Sequence, residues 1–239
     1  MITALLLDVD DTIIDTRTAM VWAVRAAVAE LWPEASVPVR QAAAVRFHSD
    51  PRGFFGHFTR GEMSFSQMRA ARVDDLVDFF SLAGVDEVNR RFEDAYAPAF
   101  RSGVRLFDDV VPLLEAVRVL GVPTGLLTNS SLHTTTAKLE LTGLGGAFSV
   151  VATRDTLGFG KPDARAFRHA CLLLGSPPAE TIFVGDHLDI DVLGAEDAGL
   201  RAVWLQRNPV DFQADLRARD REIPVVTTLS QVPALLSAR

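Results

Sequence analysis

The chain has 239 residues, 48% of them hydrophobic, with 24 basic against 31 acidic side chains for a net charge of -7. Apolar content of that order supports a real core and excludes a disordered chain, and the length admits one large domain or a core with a smaller one. The basic residues are dispersed, which argues against a nucleic-acid polymer as partner but leaves room for a small anion held by local positive groups. Residues 4–7 form the first predicted strand, apolar throughout and too short for a helix, hence buried on both faces of a sheet. It reaches Asp8 before any long apolar run is complete, so no signal peptide is expected. Past the strand, Asp8 and Asp10 are two apart, and on an extended backbone both point to one side while Val9 points away. Two carboxylates that close need a shared cation or a shared proton, as at a magnesium site or at a nucleophile beside its acid/base partner. A solvated strand end with a turn is the alternative.

Residues 16–31 follow with Val21, Val24, Val28 and Leu31 at helical spacing, Asp15 and Thr16 available as N-caps, and Pro33 as a stop. The segment 37–98 is rich in Phe, Ala, Arg and Asp and holds no convincing strand. Ser64 with Gln67 is a capping box opening a helix through 79, and Gly84 precedes another through about residue 96. Residues 16–99 therefore read as an inserted helical domain, with 1–15 and 100–239 forming the rest. Within it, Arg46, His48, Arg52, Phe54, Phe55, His57, Phe58 and Arg60 crowd one short stretch. That stretch is either a substrate-facing loop or ordinary aromatic packing with arginines in water.

From residue 106 the pattern changes. A helix over 109–120 ends at Gly121, and a strand over 123–127 runs into Thr128-Asn129-Ser130, followed by a helix over 132–141. Then come a strand at 148–152, a helix at 164–174, a strand at 181–184 ending in Gly185-Asp186, a helix at 190–198, a strand at 201–205, and a short strand and helix at 225–226 and 232–236. Such alternation predicts a Rossmann-like α/β domain, a mostly parallel sheet with helices on both faces. The single cysteine, Cys171, excludes an intrachain disulfide and a cysteine-built metal cluster, and its apolar helix gives it a packing role. No apolar run reaches 18 residues, so no membrane span is expected and a reduced cytoplasmic location is the default.

Ligands of parallel sheets sit outside the carboxyl ends of the strands, where Asp8, Asp10, Thr128, Asn129, Lys161, Asp186 and Asp191 all fall. Thr128 or Ser130 could instead be an N-cap, and Asp163 is read as the cap of the helix at 164. Lys161 is one of only two lysines, with Lys138, among 24 basic residues. A lysine kept beside a proline in an arginine-using chain suggests a need for a compact ammonium charge. His187 follows Asp186 but is read as a loop residue, and no spacing gathers the histidines into a metal site.

Together these residues resemble the haloacid dehalogenase-like hydrolase superfamily over essentially the whole chain. Its DxDxT motif is matched by Asp8-Val9-Asp10-Asp11-Thr12, its strand-end Thr or Ser by Thr128, its lysine by Lys161, and its GDxxxxD by Gly185 to Asp191. Asp11 stands where the family usually has Gly. The helical insertion after the first motif resembles the family's cap. The resemblance implies magnesium-dependent hydrolysis of phosphomonoesters, with Asp8 as nucleophile, Asp10 as acid and base, and Lys161 offsetting charge. It implies Mg2+ on Asp8, Asp186 and the Asp10 backbone carbonyl, with Asp191 holding the metal or its water. Phosphate oxygens would fall to Thr128 and the amides near Asn129, and substrate contacts to cap residues such as Arg52 and Arg60. The expected partner is a small phosphorylated metabolite, a sugar phosphate, nucleotide or phosphoglycolate-like acid, bound by a monomer or homodimer. The cap pattern resembles those of nucleotidase-like and acylneuraminate-9-phosphatase-like relatives. Dehalogenation of 2-haloacids is a rival that Asp10 disfavours. The same scaffold also admits phosphomutase activity or a non-catalytic phosphate- or metal-binding regulatory role, since fold alone does not guarantee chemistry.

Overall fold

A computed structural model describes residues 2–207 and 212–237. Its elements run in the order β1 (Ala4–Leu7), α1 (Thr16–Leu31), α2 (Val37–Ser49), α3 (Phe54–Thr59), α4 (Phe65–Phe80), α5 (Val88–Gly103) and α6 (Val110–Leu120). Next come β2 (Thr124–Thr128), α7 (Leu132–Leu141), β3 (Val150–Thr153), α8 (Arg154–Leu157), α9 (Ala164–Leu174) and β4 (Thr181–Gly185). The chain finishes with α10 (Leu193–Asp197), β5 (Arg201–Leu205), α11 (Phe212–Asp220), β6 (Val225–Val226) and α12 (Val232–Ser237). It divides into two compact units, Met1–Asp15 with Leu106–Arg239, and Thr16–Arg105.

The first unit is a six-stranded sheet of order β3-β2-β1-β4-β5-β6, parallel throughout. Every residue of β1, β2 and β4 is buried, as the unbroken apolar runs of those strands require when helices cover both faces. One apolar layer gathers Leu6, Leu127, Phe167, Cys171, Phe183, Val192 and Trp204. The chain winds from β1 through β2 to β3 on one side and from β4 to β6 on the other, so the order reverses at β1. That is the switch point at which open α/β sheets bind ligands. Register then sets what meets there: Leu7 pairs with both Leu126 and Val184, and the Asp8 amide donates to the Val184 carbonyl at 2.9 Å. Asp8 thus leaves β1 level with Gly185, one residue before Asp186.

The second unit is helical. α1 lies against α5 and α2 around Val24, Val28, Phe47, Leu76, Phe92 and Tyr96. The capping box of α4 closes in both directions, with Gln67 N donating to Ser64 Oγ at 3.2 Å and Ser64 N to Gln67 Oε1 at 2.8 Å. Where the sequence suggested an end near residue 96, α5 continues to Gly103 with Pro98 inside it. Proline in a helix interior costs about 3 kcal/mol. Burial of Phe92, Ala95 and Tyr96, with Ala99 and Phe100 packed on the same cluster, offsets that cost. The helix predicted at 190–198 is instead a wide π-helical turn, Leu188–Val192, followed by the short α10. α8 and α11 carry no apolar periodicity, which is why pattern alone does not show them. Among the described residues no helix is long and apolar enough to cross a membrane.

Candidate active site

The first residue beyond β1, Asp8, is 5% exposed, and Lys161, 2% exposed, reaches it from the loop after α8. Lys161 Nζ donates to Asp8 Oδ1 and to Asp191 Oδ1, each at 2.5 Å. A lysine this deeply buried is held by the two carboxylates it serves. Its own loop is pinned by Asn129, whose Nδ2 donates to the Lys161 carbonyl at 2.8 Å and whose Oδ1 accepts from the Lys161 amide at 2.7 Å. On the other flank Asp191 Oδ2 accepts from His187 N at 3.1 Å. Gly185 lets Asp191 in: a Cβ on residue 185 would lie 2.5 Å from Asp191 Cβ. The loop carrying Asp186 is tied down by Trp204, whose Nε1 donates to the Asp186 carbonyl at 2.8 Å.

Asp8, Asp186 and Asp191 each present an oxygen within 4.8 Å of the others. Burial pushes the Asp8 carboxyl up to about 7, with Asp191 and Asp10 adding to the rise and Lys161 opposing it. Burial, then Asp191 and Asp8, hold Asp186 well above the usual carboxylate range. For Lys161 burial works against the charge, but Asp191 and Asp8 outweigh it and keep the ammonium form. Three carboxylates around one ammonium leave a surplus of negative charge on an oxygen-only donor set, which suits a hard divalent cation such as magnesium.

Asp10 belongs to a tight turn in which Asp11 N donates to the Ile14 carbonyl at 2.8 Å. Asp11 has φ +59°, the left-handed region where glycine is at ease and aspartate is among the tolerated exceptions. That accounts for an Asp at this position. Ser130 Oγ donates to Asp10 Oδ2 at 2.8 Å, and Lys138, buried on α7, forms an ion pair with Asp10 Oδ1. The two aspartates of the first motif therefore meet different lysines.

Several sequence expectations need adjustment. The cap of α7 is Ser131, whose Oγ accepts from Thr134 N at 3.2 Å, which frees Ser130 for Asp10. Thr128 is buried and accepts from Ser130 N at 3.1 Å. The Asn129 side chain is spent on the Lys161 peptide, so it braces that loop. His187 caps the turn at 188–192, whereas Asp163 caps α9 as the sequence reading has it, accepting from Arg165 N at 2.9 Å. In the helical unit Arg46 is not a spare cation, because it pairs with Asp75 at 2.7 and 3.0 Å. Arg52 is exposed, 3.9 Å from Asp75, and Arg60 pairs with Glu62 at 2.6 Å. Sequence reasoning missed Lys138 and Ser130 as partners of Asp10, and also Arg207. That guanidinium donates to the Thr12 carbonyl at 2.7 Å and to Asp109 at 2.8 and 2.9 Å, anchoring the turn after Asp10. The rarity of lysine was the only signal pointing toward Lys138.

A family profile described as haloacid dehalogenase-like hydrolase matches residues 2–199. The chain belongs to the haloacid dehalogenase-like hydrolases. Among curated relatives it is 39% identical over 147 residues to the phosphoserine phosphatase of Thermus thermophilus, an alignment covering 59% of this chain and 58% of that protein. It is 26% identical over 202 residues to the putative HAD-hydrolase YfnB of Bacillus subtilis, covering 84% of this chain and 83% of the relative. The crystal structure of YfnB, determined bound to magnesium, superposes with a TM-score of 0.78 at 22% identity and covers 99% of each chain. An L-2-haloacid dehalogenase superposes with a TM-score of 0.74 at 21% identity, covering 100% of both. At those identities the two structures establish the family fold alone.

Proposed function

We propose that this hydrolase cleaves small phosphomonoesters in a magnesium-dependent reaction that passes through a phosphoryl group on Asp8. The observation carrying this reading is the buried Asp8 carboxylate at the end of the central strand, with Lys161 on Oδ1 and a second carboxylate, Asp10, two residues on. Asp8 attacks phosphorus, the ester P–O bond breaks, and Asp10 gives its proton to the leaving oxygen. Water then attacks the aspartyl-phosphate, the acyl O–P bond breaks, and Asp10 takes the proton back. Lys161 offsets charge on Asp8 and on the phosphoryl oxygens throughout. Asp8, Asp186 and Asp191 would hold Mg2+, which supplies positive charge against the phosphate oxygens. The relatives named as phosphatases support this chemistry. Asp10 favours it over dehalogenation, since attack on carbon with loss of halide leaves no ester oxygen to protonate.

Substrate choice is assigned to the helical unit acting as a cap, with Arg52 and Arg60 as candidate anion ligands. A phosphate at Arg60 would compete with Glu62, whose carboxyl is held down at about 2 by hydrogen bonds from Arg60 and His57. The test is a panel of sugar phosphates, nucleotides and phosphoglycolate assayed for phosphate release with magnesium, with chelator, and after magnesium is restored. Release that vanishes and returns supports the reading. No release from folded protein, or halide release from 2-haloacids, overturns it.

A further inference from the structure

We propose that Lys138 is a positioning residue for Asp10 in the second half of the reaction, fixing the carboxylate that takes a proton from the attacking water. The proposal rests on the phosphatase reading above and adds a residue to it. Only two lysines occur among 24 basic residues, and both are buried. Lys161 serves Asp8; Lys138 serves Asp10.

A buried ammonium is costly unless it is paired. A chain that uses arginine at nearly every other basic position places this one two turns into α7, with its side chain 5% exposed and its charge against Asp10 Oδ1. Ser130 donates to Oδ2 at 2.8 Å, so both carboxylate oxygens accept from the protein. Two donors, one on α7 and one in the loop before it, thus fix the plane and the direction of the Asp10 carboxyl group. The Asp10 side chain is 30% exposed against 5% for Lys138, so solvent reaches the carboxyl group while the ammonium stays buried. In the step at issue, water oxygen bonds to phosphorus, the bond from Asp8 oxygen to phosphorus breaks, one water proton goes to Asp10, and hydrogen phosphate and free Asp8 carboxylate result. Misplacing the base slows this step. Formation of the phosphoenzyme from an ester with a good leaving group, which departs without a proton, is spared.

The experiment compares the wild-type chain, Lys138→Met and Ser130→Ala with magnesium and 4-nitrophenyl phosphate, by steady-state kinetics and rapid mixing. For Lys138→Met, kcat is expected to fall about 10- to 100-fold, within the range for displaced acid-base groups, while kcat/KM changes less than about threefold. KM then falls with kcat, and nitrophenolate appears in a burst approaching one per enzyme. Ser130→Ala, which removes one hydrogen bond and little bulk, should show the same split to a smaller degree, and so serves if Lys138→Met folds poorly. A merely structural role lowers kcat and kcat/KM in proportion and produces no burst. That result, or no change in either variant, overturns the proposal. A wild type that releases no nitrophenolate refutes instead the phosphatase reading beneath it.

Discussion

Substituting Asn129 by alanine removes a brace, and the size of the effect follows from its two hydrogen bonds. The side-chain amide holds both the N–H and the carbonyl of Lys161, at 2.7 and 2.8 Å. With about 1 kcal/mol net for each such bond, Asn129→Ala should cost about 2 kcal/mol of stability. At about 2–4 °C per kcal/mol for a chain of this size, the melting temperature should drop by roughly 4–8 °C. Asn129→Asp keeps the acceptor but sets an oxygen against the Lys161 carbonyl, so it should be no better than alanine. The same change loosens the peptide from which Lys161 reaches Asp8 and Asp191. A displacement of about 1 Å in a catalytic group can cost on the order of 10²-fold, so kcat should fall at least tenfold with KM little altered. Urea unfolding and steady-state kinetics on the same preparations check both effects. Unchanged stability with a rise in KM alone would refute the brace and return Asn129 to direct contact with substrate.

Two further expectations concern the carboxylate cluster. Asp8 is raised from 3.8 to about 7 in the folded metal-free protein, so between those values the folded state binds more protons than the unfolded one and stability falls as pH rises. At about 1.4 kcal/mol per unit the loss reaches about 4 kcal/mol at most, Asp186 acts in the same direction, and urea midpoints measured with chelator from pH 4 to 8 should decline; a rise across that range would contradict it. Gly185→Ala should displace Asp191 from Lys161 and from His187 N, because the new methyl would meet Asp191 at 2.5 Å. Overpacking of this kind costs about 1–3 kcal/mol, and wild-type activity and stability in this variant would show that the cluster tolerates the shift.

How much of the molecule is legible in its sequence depends on whether a residue's role is local. Strands such as 4–7 and 181–184 announce themselves as short unbroken apolar runs, and Asp8, Asp186 and Lys161 stand at their ends or in a proline-marked loop. The parallel order around β1 follows from alternation of strand and helix. Pairing across the sequence is another matter. Ser130 meets Asp10 over 120 positions and Lys138 meets it over 128, and no periodicity reports such contacts. Asn129 looks like a phosphate ligand because it follows a strand-end threonine; its commitment to a peptide 32 residues away appears only once the two loops are side by side. The end of α5 is misplaced by sequence reasoning because proline is a local signal, while the aromatic cluster that overrides it is not.

The central claim is that Asp8 carries the phosphoryl group. It is tested most directly by mixing the protein with magnesium and a phosphomonoester, quenching in acid within the first turnovers, and mapping the modified peptide by mass spectrometry. Asp10→Asn is the enzyme of choice, since it keeps the nucleophile and slows hydrolysis of the intermediate by roughly 10²- to 10⁴-fold. The expected result is a phosphoryl group on Asp8, absent when chelator is present and absent from Asp8→Asn. A phosphoryl group on a histidine or another side chain, or turnover undiminished in Asp8→Asn, would contradict the account.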